Sequence, residues 1–163
     1  MTDASHAMET RCSVAVFRGE SLLLVHSEEY GREVWKLPGG HVRPDEGLIA
    51  CARRELREET SLSVGELHCA FVLDVHDRET GRYLVEIVLM PSDPVTGEPQ
   101  ECEVGREPAF VAMDRLRRLP LQPPETAHLF GLRDLHQREI TGEEPSPDYA
   151  HVRRIGPDSA QVT

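Results

Sequence analysis

Residues 40–62 read GHVRPDEGLIACARRELREETSL. Leu48 to Thr60 carries the periodicity of an amphipathic helix. The preceding Pro44-Asp45-Glu46-Gly47 has the make-up of a helix start, with Asp45 the expected N-cap. On a wheel of about 100° per residue with Glu55 at the origin, Glu58 falls at about −60° and Glu59 at about +40°. Ala52, Leu56 and Ile49 fill the sector between about +60° and +120°, Arg53 and Arg57 take the far side, and Arg54 stands beside Glu58 at the i,i+4 spacing. The segment therefore has an apolar face, a basic outer face and, between them, three carboxylates in one arc. Two carboxylates about 5 Å apart repel by about 0.8 kcal/mol in water, and by about 3 kcal/mol at an effective dielectric of about 20. On an open surface the arc is an ordinary solvated face; lining a cleft, it needs a cation. Arg54 neutralises one member and leaves charge that a hard divalent ion such as Mg²⁺ accepts. The wheel alone leaves both readings open.

Outward from this helix, Cys12–Phe17 and Ser21–Val25 are apolar runs separated by Arg18-Gly19-Glu20, which predicts strand, tight turn and strand. Residues 26–33 are polar and read as a loop. Val34–Leu37 alternates before the breaker Pro38-Gly39-Gly40. Residues 67–76 and 82–90 predict a hairpin around Asp77–Gly81, and residues 91–108 a loop rich in Pro, Gly and Glu. A short strand at Ala109–Met113, a short helix at Asp114–Leu119 and a last helix from Pro123-Pro124 to about Arg138 complete the pattern. Residues 1–10 read as an N-terminal tail, 11–138 as one domain, and 139–163 as a polar tail with a short strand at Tyr149–Ile155. Strands mixed with two good helices imply an α/β or α+β sandwich.

The chain has 163 residues, with 29 acidic against 18 basic side chains and a net charge of −11. That length suits one domain with a real core. No apolar run approaches the roughly 20 residues that span a bilayer, and the first ten residues carry no secretory h-region. A pI near 5.1 supplies no basic footprint for stable nucleic-acid binding. Cys12, Cys51, Cys69 and Cys102 form no CxxC and the eight histidines no HExxH, so zinc is not expected. The thiols read as reduced small hydrophobes, and the expected location is cytoplasmic.

Gly40 is followed after five residues by Glu46, and after seven more by Arg54-Glu55-Leu56-Arg57-Glu58-Glu59-Thr60-Ser61-Leu62. This resembles the Nudix box, with every fixed position met except that Ser61 stands where the family has Gly. The lead-in Val34–Gly40 and the closing Phe110–Leu116 are also similar to the family pattern, so the resemblance spans about residues 11–138. It implies an α/β (α+β) fold, the Nudix-type α/β/α sandwich with a central mixed β-sheet. It also implies hydrolysis of a nucleoside diphosphate linked to another moiety, with Mg²⁺ or Mn²⁺ as cofactor. Carried over residue by residue, Glu55, Glu58 and Glu59 would hold the metal, with Glu46 as an outer or water-mediated ligand. Arg54 would fix the carboxylates by charge-assisted hydrogen bonds. Gly39 and Gly40 would let the backbone approach the substrate's phosphates. The general base is a box Glu in some members and a loop Glu in others. The catalytic set is therefore Glu58, Glu55 and Arg54, with Glu107 the candidate outside the box and Glu101 and Glu103 its rivals. Glu86, inside a strand run, joins the site only if it faces the cleft, and is left out. Ser61 bears on helix termination, where the left-handed conformation costs a non-glycine residue about 1 kcal/mol.

Substrate choice stays open between a nucleoside triphosphate and a nucleotide-sugar or ADP-ribose type. The Pro of ADP-ribose-specific members would fall near Asp77 and Arg78, where none stands. The Tyr of dinucleoside polyphosphate enzymes would fall near Glu79, four places before Tyr83. Trp35, Phe71 and Tyr83 could stack on a base but are more simply sheet or core residues. The alternative is a non-catalytic nucleotide-binding or sensing module on a Nudix fold; such modules generally lose box carboxylates, and all four are present here. A purely structural role leaves the acidic arc unexplained. The partner expected is a nucleotide-type small molecule, with no membrane; a homodimer is common in the family, and no feature of this sequence settles it.

Overall fold

The computed structural model describes residues 8–76, 81–123, 126–141 and 152–155. The elements run β1 (Glu9–Val14), β2 (Phe17–Arg18), β3 (Ser21–Glu29), β4 (Arg32–Lys36), β5 (Gly39–His41) and α1 (Leu48–Thr60). They continue with β6 (Leu67–His76), β7 (Tyr83–Pro91), β8 (Glu107–Ala112), a 3₁₀ helix (Met113–Arg118), α2 (Thr126–Thr141) and β9 (Val152–Ile155). One sheet is mixed, in the order β5-β1-β7-β6-β9, with β1 parallel to β7 and β9 parallel to β6. In the other, antiparallel sheet β3 is central, with β2 and β4 along one edge and β8 along the other.

Strand alternation feeds two apolar clusters. Cys12, Val14 and Leu89 of the mixed sheet and Leu23 of the second pack with Cys51, Ala52 and Leu56 of α1. Their sequence neighbours Val88, Leu22 and Leu24 turn the other way and pack with Phe71, Leu73, Leu116, Leu129 and Leu132. Residues of both sheets thus lie between α1 and α2, in the expected α+β sandwich. Full burial of Leu56 alone is worth about 2 kcal/mol of the docking of α1. Cys12 and Cys51 are completely buried at this seam, and burial pushes their thiols up to about 11 and about 12.

The helix occupies the expected residues, but its start does not follow the expected chemistry. Gly47 is the N-cap and no side chain caps the first turn, so Asp45 does not serve there. At the other end Ser61 takes the left-handed conformation (φ 65°, ψ −3°) and donates its N–H to the Arg57 carbonyl, as the family's glycine would. Two stretches expected to be irregular are strands. Residues 26–29 continue β3, and Arg32 opens β4 after the turn Tyr30-Gly31, where both residues have positive φ. Polarity misled there because His26–Glu29 lies at the end of a ribbon that water reaches. Gly39 and Gly40, expected to break the chain, form β5 on the edge of β1, pairing with Ser13 and Cys12. The strand expected at Ala109–Met113 begins earlier, at Glu107. The loop joining β6 to β7 at 77–80, Pro124 and Tyr149–His151 lie outside the described residues.

Candidate active site

The α1 arc closes onto β5, and the two glycines explain how. A Cβ on Gly40 would stand 2.5 Å from the Glu55 carboxyl carbon, and one on Gly39 would stand 2.7 Å from the Ser13 Cα. A side chain on Gly40 would press on the Glu55 carboxylate of α1, and one on Gly39 would clash with the β1 backbone at Cys12 and Ser13. Cys51 Sγ also points at the Gly40 carbonyl, 3.7 Å away.

Arg54 sits at the centre of the outer carboxylates. Its Nε donates to Glu46 Oε2 at 3.0 Å and its Nη2 to Glu46 Oε1 at 2.5 Å, a bidentate pair. Its Nη1 donates to Glu55 Oε1 at 2.7 Å and to Glu58 Oε2 at 3.2 Å. One guanidinium thus aligns three carboxylates from two segments of chain, which raises its own pKa and, chiefly by hydrogen bonding, pulls Glu46 down to about 2. Glu58 keeps its other oxygen at the surface, 3.9 Å from Arg43 Nη2.

Glu59 is in a different medium, 2% exposed. Its Oε2 accepts the Gly39 N–H at 3.3 Å and its Oε1 accepts Arg106 Nη1 at 2.8 Å. Burial dominates and pushes its pKa up to about 7, against the opposing charges of Arg11 and Arg106; the Glu55 carboxylate adds to the rise. Behind it, Glu86 of β7 is buried beside Ser13 and Arg11 of β1. The predicted residues Glu46, Arg54, Glu55 and Glu58 therefore meet in one ion-pair group, with Glu59 directly behind at Gly39. Glu107 is not in that ion-pair group: its side chain is 67% exposed at the start of β8, next to Arg106, with Oε2 3.8 Å from His26 Nδ1. Arg11, Ser13, Glu86 and Arg106 are not in the set drawn from sequence, where Glu86 alone of the four is weighed, as a strand residue, and left out. The parallel register of β1 and β7 brings the first three together, and no local spacing announces it.

Among the described residues no three acidic, histidine or cysteine groups already converge as a closed metal cage. The donor chemistry nevertheless fits a hard divalent cation. All donors are carboxylate oxygens, and Mg²⁺ is bound through only one or two carboxylates together with water and phosphate oxygens. Counting Glu46, Glu55, Glu58 and Glu59 against Arg54 and Arg106, two formal negative charges remain for a cation to meet.

An edge strand of paired glycines, with three carboxylates of α1 and Glu46 from the segment before it gathered alongside, forms the centre of this site. The chain belongs to the Nudix family: the NUDIX domain matches residues 8–132. Phosphatase NudJ of Escherichia coli (strain K12) is 41% identical over 46 residues, a match covering 28% of this chain and 30% of that protein. The chain thus matches under a third of the length of the curated relative. The MutT NUDIX hydrolase of Burkholderia pseudomallei superposes with a TM-score of 0.59 at 26% identity, over 66% of this chain and 85% of that one. A NUDIX hydrolase from Nitrosomonas europaea shares the fold with a TM-score of 0.69 at 17% identity, over 89% and 99% of the two chains. No helix among the described residues is long and apolar enough to cross a membrane.

Proposed function

We propose that this chain is a divalent-cation-dependent hydrolase of the pyrophosphate bond in a nucleoside diphosphate linked to another moiety, working in the cytoplasm on a dissolved nucleotide-type substrate. The observation that carries this reading is the gathering of Glu46, Glu55 and Glu58 on Arg54, with Glu59 buried behind them at Gly39. Family membership and the likeness to MutT and NudJ proteins support it.

Glu55, Glu58 and Glu59, with Glu46 as an outer ligand, would hold Mg²⁺ or Mn²⁺. When bound, the cation supplies charge to the phosphate oxygens and acidifies water at neutral pH. Arg54 keeps the carboxylates aligned, so no reorganisation is needed when substrate arrives. Gly39 and Gly40 keep β5 slim enough for a phosphate chain to approach its backbone. Glu58 takes the proton of the attacking water as the new P–O bond forms, and the anhydride P–O bond breaks to give two phosphate products. Its Oε1 faces the surface with only the long 3.9 Å contact to Arg43, whereas its Oε2 is held by Arg54. Glu107 is the candidate base outside the box.

A panel of nucleoside triphosphates, sugar nucleotides and ADP-ribose with Mg²⁺ or Mn²⁺, read by product identity, tests this. Release of a nucleoside monophosphate from any of them supports it and separates the triphosphate from the nucleotide-sugar class. Silence across the panel with both metals overturns it in favour of a binding module without turnover.

A further inference from the structure

Arg11 and Glu86 have no part in the chemistry above. They face each other across parallel β1 and β7, on the sheet face opposite α1, where Val88 joins the α2-side core. Glu86 is 1% exposed. Its Oε1 accepts the Ser13 hydroxyl and lies 3.4 Å from Arg11 Nε. Its Oε2 is buried with no hydrogen-bond partner among the described residues. A buried ion pair this incompletely satisfied contributes little to stability, and an apolar pair of similar volume would serve the fold as well or better. A reason other than folding is needed for a cation at this place.

The place itself supplies one. Ser13 pairs with Gly39, and Gly39 donates its N–H to Glu59, so the Arg11 group lies directly across β5 from the innermost box carboxylate. Arg11 is anchored at one end, with Nη2 donating to the Leu37 carbonyl at 2.8 Å and Nε 3.4 Å from both Ser13 Oγ and Glu86 Oε1. Its Nη1 donates no hydrogen bond among the described residues, and its side chain is 13% exposed. Of the other guanidiniums at the site, Arg43 lies out at the surface, 59% exposed and 3.9 Å from Glu58, and the two nearer the carboxylates are committed. Arg54 serves Glu46, Glu55 and Glu58, and Arg106, nearly half exposed, serves Glu59 and Glu103.

We propose that Arg11 binds a non-bridging oxygen of the substrate's diphosphate through its outer edge, with Glu86 and Ser13 as positioning residues that hold the guanidinium against the inner wall of the site. The proposal rests on the reading that this site takes a diphosphate. Arginine suits the task because its planar fork lets one nitrogen stay anchored while another meets phosphate, which a lysine ammonium cannot reproduce. Glu86 is shielded from the anion by Arg11 itself, so the buried carboxylate orients the cation without repelling the ligand.

The test uses methylene diphosphonate, a diphosphate analogue with no hydrolysable bridge, titrated calorimetrically into the full chain in the presence of Mn²⁺. Mn²⁺ titrated alone is the reference. Arg11→Gln should bind Mn²⁺ as the unmodified chain does and the diphosphonate about tenfold or more weakly, as expected for losing a hydrogen bond to a charged group. Arg11→Lys should recover part of that loss, and Glu86→Gln, which keeps the volume, should weaken the diphosphonate by a smaller factor with Mn²⁺ uptake unchanged. Should Arg11→Gln fail to fold, Arg11→Lys carries the comparison. Unmodified diphosphonate affinity in the folded Arg11 variants overturns the proposal, as does a parallel loss of Mn²⁺ and diphosphonate, which is the mark of a structural role. If the unmodified chain binds Mn²⁺ and diphosphonate and only the variants fail to differ, the proposed activity survives; if the unmodified chain binds neither, both readings fall.

Discussion

Glu58 and Glu59 are adjacent in the chain, yet the side chain of the first is 41% exposed and that of the second 3%. The outer carboxylates, Glu46, Glu55 and Glu58, share one arginine. The inner ones, Glu59 and Glu86, are buried and held by a backbone N–H, a hydroxyl and two further arginines. A helical wheel puts Glu58 and Glu59 in one arc but gives no depth. Depth comes from the glycines of β5, which let the inner edge of the arc sink against the sheet.

The sharpest way to break this contrast is to neutralise each half in turn. Glu58→Gln and Glu59→Gln should each lower Mg²⁺-dependent turnover by about 10³-fold, about 4 kcal/mol of transition-state stabilisation. Their effects on folding should differ, because only Glu59 bears a burial penalty. Rates close to the unmodified chain in both variants would remove the metal assignment.

Acid and base should then separate the halves without any substrate. Glu59 has an ordinary pKa of 4.5 in the unfolded chain and about 7 in the folded one. Below pH 4.5 both states hold the proton; between 4.5 and 7 the unfolded chain releases it while the folded chain keeps it, so stability falls as pH rises. The full loss is about 3 kcal/mol and is complete above pH 7. Denaturant titrations at pH 5 and pH 8, with and without Glu59→Gln, measure it. A slope that persists in the Gln variant would assign it to another group.

A smaller effect tests the seam between helix and strand. Gly40→Ala sets a methyl against the movable end of Glu55, so it should cost about 1 kcal/mol of stability or less and weaken Mn²⁺ uptake by displacing that carboxylate. Thermal unfolding and metal titration read the two consequences separately. The last change expected is a gain, in stability alone: Ser61→Gly removes left-handed strain and should stabilise the fold by about 1 kcal/mol with turnover unchanged.

What was legible in the sequence follows the range of the forces involved. α1 and its arc were readable because residues three and four apart on a helix are neighbours, and the Arg54–Glu58 contact follows from that rule. The β6–β7 pair and the 3₁₀ helix after β8 were readable from local pattern as well. His26–Glu29 and Gly39–His41 were not, since strand formation there is decided by partners, β4 for the first and β1 for the second. The same holds for the site. The Arg11–Glu86 pair spans 75 residues and exists only because β1 and β7 run parallel in one register. Glu107 could be picked from its loop position, yet the strand that takes it in sets it beside His26.

The two thiols at the seam of α1 and β1 form a built-in clock for that seam. Cys12 and Cys51 have no accessible surface, and their protons are held far above neutral pH, so an alkylating reagent meets them only when the helix lifts off the strand. Cys69 and Cys102 stand in the open and mark zero time. The delay before the second pair of adducts appears, followed by mass, gives the lifetime of the docked helix directly.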